Sequence, residues 1–457
     1  MAMITKQSRR DFLWASLAAG GGAASAFGGL GPLMRLAHAG GAADRYYVFC
    51  YFSGGWDLLL SLDPRDPTRF NSENIGDTLI QPGYDQLDDD GNDGSLVETK
   101  AGITFGPYIG DLRAHADEIA VIRGMSMETL THEAGLRRFL TGKPPSGLLA
   151  RGSSAATWLA GTFGEADLIP NLSVRVESYN VDLPNFASAL KVQNVPDLVD
   201  ALEPTTSGLG DAEREAIGLL LATNATCPAS VRSPFLQQAE SSRIRARQMV
   251  ASNLFQLFDF QADTPEMEAL RGHYGIPRYG SLDTPEAQAA MASVAITGGI
   301  SRVVSIQAAS GLDTHYDEWQ TDQGPNQERG FNAIARLVED LAAREHPGTG
   351  DSWLDHTTIV GFSEFGRTAL LNASTGRDHS LTSGCFLLGA GIRGGTVVGR
   401  SSDMGMAPTT TNLETGESDR EGEVIKPEHV IRALFVDSGI SEDVADLRVE
   451  PLTAILR

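Results

Sequence analysis

Apolar runs at Tyr46–Phe52, Ile119–Arg123, Val303–Ala309, Thr357–Phe362 and Cys385–Leu388 each close on polar residues. Their length and their β-branched and aromatic content predict buried strands, because a strand covered on both faces reads as one continuous apolar stretch. Between these runs the period lengthens. Glu133–Leu140 predicts a helix ended by Thr141-Gly142, and Asn326–Arg344 a longer one with Phe331, Ile334, Leu337, Val338 and Leu341 on one side. Lys426–Asp437 predicts a last helix. Ser233-Pro234 supplies an N-cap with proline at the first helical position. A helix is expected from there to Phe258, with Phe235, Leu236, Ile244, Val250, Leu254 and Leu257 as its apolar contacts. Strands that alternate with helices predict an α/β fold whose parallel or mostly parallel sheet is covered on both faces. The polar, glycine-punctuated stretch Asp66–Lys100 reads as an inserted surface loop, and the chain holds no internal repeat.

The first residues break this pattern. Ser8-Arg9-Arg10-Asp11-Phe12-Leu13 is a twin-arginine motif, followed by a Gly/Ala-rich apolar segment and Ala37-His38-Ala39, an A-x-A cleavage site. Residues 1–39 are therefore expected to be a signal read by the twin-arginine export machinery, and the mature chain to be periplasmic or secreted. The run Gly20-Gly21-Gly22 argues against a packed amphipathic helix there. Cleavage after Ala39 removes four basic residues and one acid, taking the formal charge from −23 to −26. So acidic a chain is a poor partner for nucleic acid or an anionic membrane surface. It would also repel polyanions, so any anionic substrate needs a local positive centre. No later apolar run approaches the ~18 residues of a membrane span. Of three cysteines, Cys50 and Cys385 lie inside predicted strands and read as buried thiols, and a disulfide framework is excluded.

The candidate chemistry gathers where strands end. Gly311-Leu312-Asp313-Thr314-His315 follows Val303–Ala309, Ser363-Glu364 follows Thr357–Phe362, and Gly376-Arg377-Asp378-His379 lies on a glycine-flanked loop before the next strand. Open α/β folds place their sites at the carboxyl edge of the sheet, so these three clusters of Asp, Glu and His suggest one metal site. Taken singly, each has a plainer reading: Asp313 capping a helix, His315 packed in a polar loop, Arg367 and Arg377 neutralising Glu364 and Asp378 as structural pairs. Other patterns fail on inspection. Asp88-Asp89-Asp90-Gly91-Asn92-Asp93-Gly94 has oxygen ligands at calcium-loop spacing, but lacks the glycine at position six and has Thr99 in place of the bidentate Glu. It reads as a solvated acidic turn. Arg243, Arg245 and Arg247 read as a solvated helix face. Gly389-Ala390-Gly391-Ile392-Arg393-Gly394 leads into another strand, where a pyrophosphate-binding loop would need a helix.

The combination of SEFGRT (Ser363–Thr368), GRDH (Gly376–His379), the GAGIRGG turn and the upstream LDTH (Leu312–His315) resembles the exported bacterial family called domain of unknown function 1501. That family is grouped with the alkaline-phosphatase and sulfatase-like superfamily, and the resemblance spans Tyr46 to the helix at Pro427-Glu428-His429. It implies a three-layer alkaline-phosphatase-like domain over residues 40–457, with insertions at about 66–100 and 144–285 outside the core sheet. It also implies a divalent ion (zinc, manganese or calcium) held among Asp57, Asp313, His315, Glu364, Asp378 and His379. One ion is expected in place of two, because Phe365 stands where the superfamily carries a ligand histidine. The first metal-binding aspartate is displaced as well: Ser53-Gly54-Gly55 occupies its turn, and Asp57 either reaches in or caps a helix. The superfamily's Ser or Thr nucleophile opens a helix that runs to a Thr-Gly pair. Counting back nine residues from Thr141 reaches His132, with Thr131 one residue out of register. His132 is thus a candidate nucleophile, metal ligand, or partner of Glu364 or Asp313; the ligand and polar-network roles rank first. Arg367 and Arg377 are candidates to steady an anionic oxygen. Cys227-Pro228-Ala229-Ser230-Val231 lacks the arginine that formylglycine formation requires. Two functions follow from the resemblance: an exported metal-dependent hydrolase of small-molecule or envelope phosphate or sulfate esters, with His132 or water activated by the ion as nucleophile, or a non-catalytic envelope-associated binding protein that keeps the fold.

Overall fold

In the computed structural model, residues 44–457 are described, apart from 89–90, 182, 204–209, 211, 214–215, 217–218, 220–232 and 442–444. The signal segment, Cys227 and the middle of the acidic turn at 88–94 lie outside the described residues.

Eight strands form the central sheet: β1 (Tyr46–Phe52), β2 (Ile119–Ser126), β3 (Asn171–Val174), β4 (Leu190–Val192), β5 (Val303–Ala309), β6 (Thr357–Ser363), β7 (Thr382–Gly389) and β8 (Thr396–Val398). Their spatial order is β8-β2-β7-β6-β1-β5-β3-β4. All neighbours are parallel except around β7, which runs antiparallel to both β2 and β6. Strand β1 sits between β5 and β6, paired from Tyr46 with Thr357 to Phe52 with Ser363. Every residue of it is buried, as its unbroken apolar sequence requires. Its side chains alternate between two cores: Tyr46, Val48, Cys50 and Phe52 belong to one, Tyr47, Phe49 and Tyr51 to the other.

Six helices bear on the argument: α1 (His132–Thr141), α2 (Ala155–Phe163), α3 (Pro234–Ala251), α4 (Pro285–Thr297), α5 (Gly324–Ala343) and α6 (Pro427–Ser438). Helices α4 and α5 cover the face bearing Val48 and Phe52, with Phe331, Ile334, Leu337, Val338 and Leu341 of α5 fully buried. Helices α1, α2 and α6 cover the other, where Phe139 stacks on Phe362 at a centroid distance of 4.1 Å. The result is a three-layer α/β fold with a mostly parallel sheet.

Three expectations change. The stretch Pro144–Pro285 supplies β3 and β4, which extend the sheet beyond β5, so that region is not wholly outside it. Their runs of three and four residues were too short to stand out as strands. The helix from Pro234 stops at Ala251, and a separate turn, Phe255–Phe258, follows after Asn253 adopts a positive φ of 49°. Leu236 and Ile244 of α3 are exposed, whereas Leu254 just beyond it is buried. Finally, β7 enters the sheet from the edge at which the parallel strands finish. Its N-terminal approach, not its C-terminal end, therefore faces the site.

Cys50 and Cys385 are buried free thiols, and burial pushes both up far beyond the usual thiol range. Among the described residues no helix is long and apolar enough to cross a membrane.

Candidate metal centre

At the carboxyl edge, the ends of β1, β2, β5 and β6 and the approach to β7 deliver their polar residues to one place. Asp313 and His315 follow β5, Glu364 follows β6, Asp378 and His379 precede β7, and His132 opens α1 beyond β2. Two close approaches make this possible. Gly54, after β1, has φ of 114°, and a Cβ there would stand 2.6 Å from the Asp313 nitrogen. Gly135 lets α1 settle on the end of β6: a Cβ would stand 2.1 Å from the carbonyl oxygen of Glu364. A two-residue antiparallel ribbon pairs His379 with Arg367 and fixes the imidazole over the sheet edge.

The three histidines share one arrangement. His132 Nδ1 lies 2.8 Å from Glu364 Oε1, His315 Nδ1 2.9 Å from Asp378 Oδ1, and His379 Nδ1 2.6 Å from the Leu130 carbonyl oxygen. Each of these partners accepts a hydrogen bond, so in the neutral ring Nδ1 carries the proton and Nε2 presents a bare lone pair. All three Nε2 atoms surround Asp313 Oδ1, at 3.5 Å from His132, 3.1 Å from His315 and 3.4 Å from His379. The Nε2 atoms of His315 and His379 are 3.0 Å apart. Two lone pairs facing each other at that distance repel, so either a proton on one ring or a metal ion must lie between them. His132, Asp313 and His379 offer ligand atoms all within 4.8 Å of one another.

The donor set fits a divalent ion. Tetrahedral bonds of about 2.0–2.1 Å imply ligand–ligand edges of roughly 3.3–3.4 Å, and within the group of His132, Asp313 and His379 the two imidazoles lie 3.5 and 3.4 Å from Asp313 Oδ1. Imidazole orientation by an outer carboxylate or carbonyl is the usual support for such a ligand. Glu364 is itself held by the Gly54 N–H (2.8 Å) and the Ser363 hydroxyl (2.9 Å). Asn372 donates to Asp378 at 3.2 Å and to the His315 carbonyl at 2.8 Å.

The electrostatics follow from these contacts. The hydrogen bond that His132 donates to Glu364 raises the His132 pKa, and burial lowers that of His379. Burial works to raise the Asp313 pKa, but the Arg367 guanidinium at 2.6 Å outweighs it and holds the carboxyl at about 2. The hydrogen bond from His315 lowers that of Asp378. Phe365 is fully buried beneath the site, its ring centroid 4.2 Å from that of His379 and 4.8 Å from that of His132. It is an apolar floor against which two imidazoles rest.

Of the residues singled out in the sequence, Asp313, His315, Glu364, Asp378, His379 and His132 converge. Among them Glu364 and Asp378 meet the cluster through Nδ1 of a histidine, which places them outside the inner ring. Asp57 and Arg377 are elsewhere. Asp57 is wholly buried, its carboxylate accepting from Leu59 N and Trp319 Nε1 and paired with Arg377 Nε at 2.8 Å. Arg377 donates to the carbonyls of Thr368, Gln81 and Pro82 and stacks on Trp319. Neither reaches the cluster, and the pair is structural. Arg367 is equally enclosed: it donates to the carbonyl oxygens of Gly55, Gly54 and Arg377 and to Asp313. It orients Asp313 and has no free face for a substrate oxygen. Thr131 is the exposed N-cap of α1, and no capping hydrogen bond is made by its hydroxyl. The Leu130 carbonyl and Asn372 had no sequence signal, because a carbonyl or a loop amide acquires such a role only through its position.

Fold and site together define an α/β protein with an imidazole–carboxylate cluster at the carboxyl edge of its sheet. The chain belongs to the family described as Protein of unknown function (DUF1501), which it matches over residues 49–417. No curated protein matches it. It is similar to a solved structure concerned with metabolism of multiple glycosaminoglycans by Bacteroides thetaiotaomicron, at 9% identity and a TM-score of 0.34, over 89% of this chain and 75% of that one. At that distance the likeness assigns no activity here.

Proposed function

We propose that this protein is an exported, metal-dependent hydrolase of phosphate or sulfate esters, of alkaline-phosphatase-like descent, working with a single divalent ion. The observation that carries the reading is the set of three histidines, each with Nδ1 engaged by an acceptor and Nε2 turned towards Asp313 Oδ1. His132, His379 and Asp313 would hold the ion, with His315 beside them against Asp313. Nitrogen-rich donors suit zinc, and manganese less well; calcium, which takes six to eight oxygens, does not fit. When bound, the ion supplies Lewis-acid polarisation of an ester oxygen and of water. The chain's own part is orientation: Glu364, Asp378 and the Leu130 carbonyl fix the rings, and Arg367 fixes Asp313. The side chain of Asp313 is half exposed, so solvent and substrate reach the cluster. Hydrolysis then joins a water oxygen to phosphorus or sulfur and releases the alcohol, which takes up the proton that water loses.

The test is elemental analysis of protein purified without chelator, followed by turnover of chromogenic phosphate and sulfate esters with added zinc or manganese. About one equivalent of metal with turnover that chelation abolishes is expected. Less than a tenth of an equivalent, unrecovered on reloading, overturns the reading. One observation favours the second reading, a non-catalytic envelope-associated binder: both candidate arginines are enclosed, and Thr131 stands outside the network. Stoichiometric metal with no turnover of any ester would establish it.

A further inference from the structure

The charge around the cluster sorts the esters that it can accept. Three carboxylates, Asp313, Glu364 and Asp378, face one guanidinium, Arg367, and a divalent ion would bring the centre to neutrality. Arg377 adds nothing, since Asp57 neutralises it in the core. The donors of Arg367 are committed within the protein, Arg377 is sealed in the core away from the cluster, and the chain as a whole carries −23. A doubly charged phosphate monoester would meet no positive charge beyond the ion's own.

The rim sets apolar side chains beside further exposed acids, Glu133 and Asp317. Leu130, Tyr316 and Leu381 are 48%, 63% and 48% exposed. Single exposed leucines are ordinary on a protein surface. Here, however, each of the three lies one or two residues from a different histidine of the cluster: His132, His315 and His379. The Leu130 carbonyl holds His379, and the Met127 N–H bonds the Leu381 carbonyl at 2.8 Å, which brings these two segments together beside the site.

Resting on the hydrolase reading, we infer that the preferred substrate is a singly charged tetrahedral ester, a sulfate monoester or a phosphodiester, whose organic group is apolar and lies on Leu130, Tyr316 and Leu381. Phosphate monoesters are the disfavoured class.

The test is calorimetric binding to the zinc-loaded protein at a pH where phenylphosphonate carries two charges. Phenyl methylphosphonate has one charge and a phenyl group, phenylphosphonate two charges, and methyl methylphosphonate one charge without the large apolar group. Phenyl methylphosphonate is expected to bind at least about tenfold more tightly than either of the others; for the phenyl group, that is the worth of roughly 60 Å² of buried apolar surface. The double variant Leu130→Ser, Leu381→Ser should lose at least half of the phenyl advantage while keeping its metal content. Equal or tighter binding of phenylphosphonate, equal binding of the two singly charged probes, an undiminished phenyl advantage in the variant, or no binding of the phenyl probe overturns the inference. The hydrolase reading fails separately, if the ranking holds and no chromogenic ester is turned over.

Discussion

Replacing Gly135 with alanine tests whether the site depends on how closely α1 approaches the end of β6. A Cβ at that position would lie 2.1 Å from the Glu364 carbonyl oxygen and 3.1 Å from the Glu364 Cβ. Comfortable non-bonded separations are about 3.5 Å, so helix or strand must yield by roughly 1 Å. The strand is the stiffer partner, since β6 is paired on both sides and Glu364 is pinned by Gly54 and Ser363. Helix α1 should therefore move, taking His132 with it, three residues away and one turn closer to the site. A hydrogen bond of 2.8 Å to Glu364 stretched by about 1 Å passes beyond hydrogen-bonding range. Overpacking of this kind costs about 1–3 kcal/mol, and the better helix propensity of alanine returns about 0.8–1 kcal/mol. The net loss of stability is thus about 0–2 kcal/mol, whereas the loss of an outer-ring contact should weaken metal binding by at least about tenfold. Zinc affinity by competition with a chromophoric chelator, alongside thermal melting, measures both. Gly161→Ala in α2 is the control: its Cβ would meet only the Leu183 and Ala187 side chains, at 3.3 and 3.4 Å. It should leave zinc binding unchanged. A Gly135→Ala protein with the parent's zinc affinity would refute the claim that this contact positions His132.

Glu364→Gln keeps the acceptor for His132 and Gly54 but removes the charge, and should weaken zinc binding about 10–100-fold; elemental analysis after dialysis against graded chelator would show it, and unchanged retention would remove Glu364 from the site. Arg377→Gln leaves the buried Asp57 carboxylate without its counter-ion and should cost about 3–5 kcal/mol in urea unfolding, while the metal content of the folded fraction stays at the parent's level; a change of metal affinity in that fraction would bring the pair back into the site. In metal-stripped protein, the depressed pKa of Asp313, about 2, gives stability that is present above the unfolded value near 4 and is lost as pH falls towards 2. Because the side chain is half exposed, solvent screening limits the effect to about 1 kcal/mol. Asp313→Asn should therefore be less stable than the parent at pH 6, with the gap about halved at pH 3 and closing as pH falls through 2; a gap independent of pH would contradict the assignment.

The sequence by itself determined the layered α/β architecture. Strands β1, β5 and β6 were legible because a strand with both faces covered must be apolar throughout, and α5 because one-sided burial imposes a helical period. It also determined which residue types meet at the site, since polar residues that follow buried strands have only the sheet edge to occupy. Only the tertiary structure decided their roles. Asp313 and Asp57 are both aspartates just beyond a strand, yet one faces three imidazoles in partial solvent and the other is sealed against Arg377 and Trp319. Arg367 and Arg377 looked equally free to hold an anion; which carbonyl oxygens surround a guanidinium depends on loops distant in sequence, such as Gly54–Gly55 and Gln81–Pro82. The inner ring was hidden for the same reason. Which nitrogen of a histidine faces inward is set by what the other nitrogen bonds, and for His379 that partner is a backbone carbonyl 249 residues away. Local pattern fixes secondary structure through periodic burial; a ligand set is fixed by contacts between chain segments, and those carry no period.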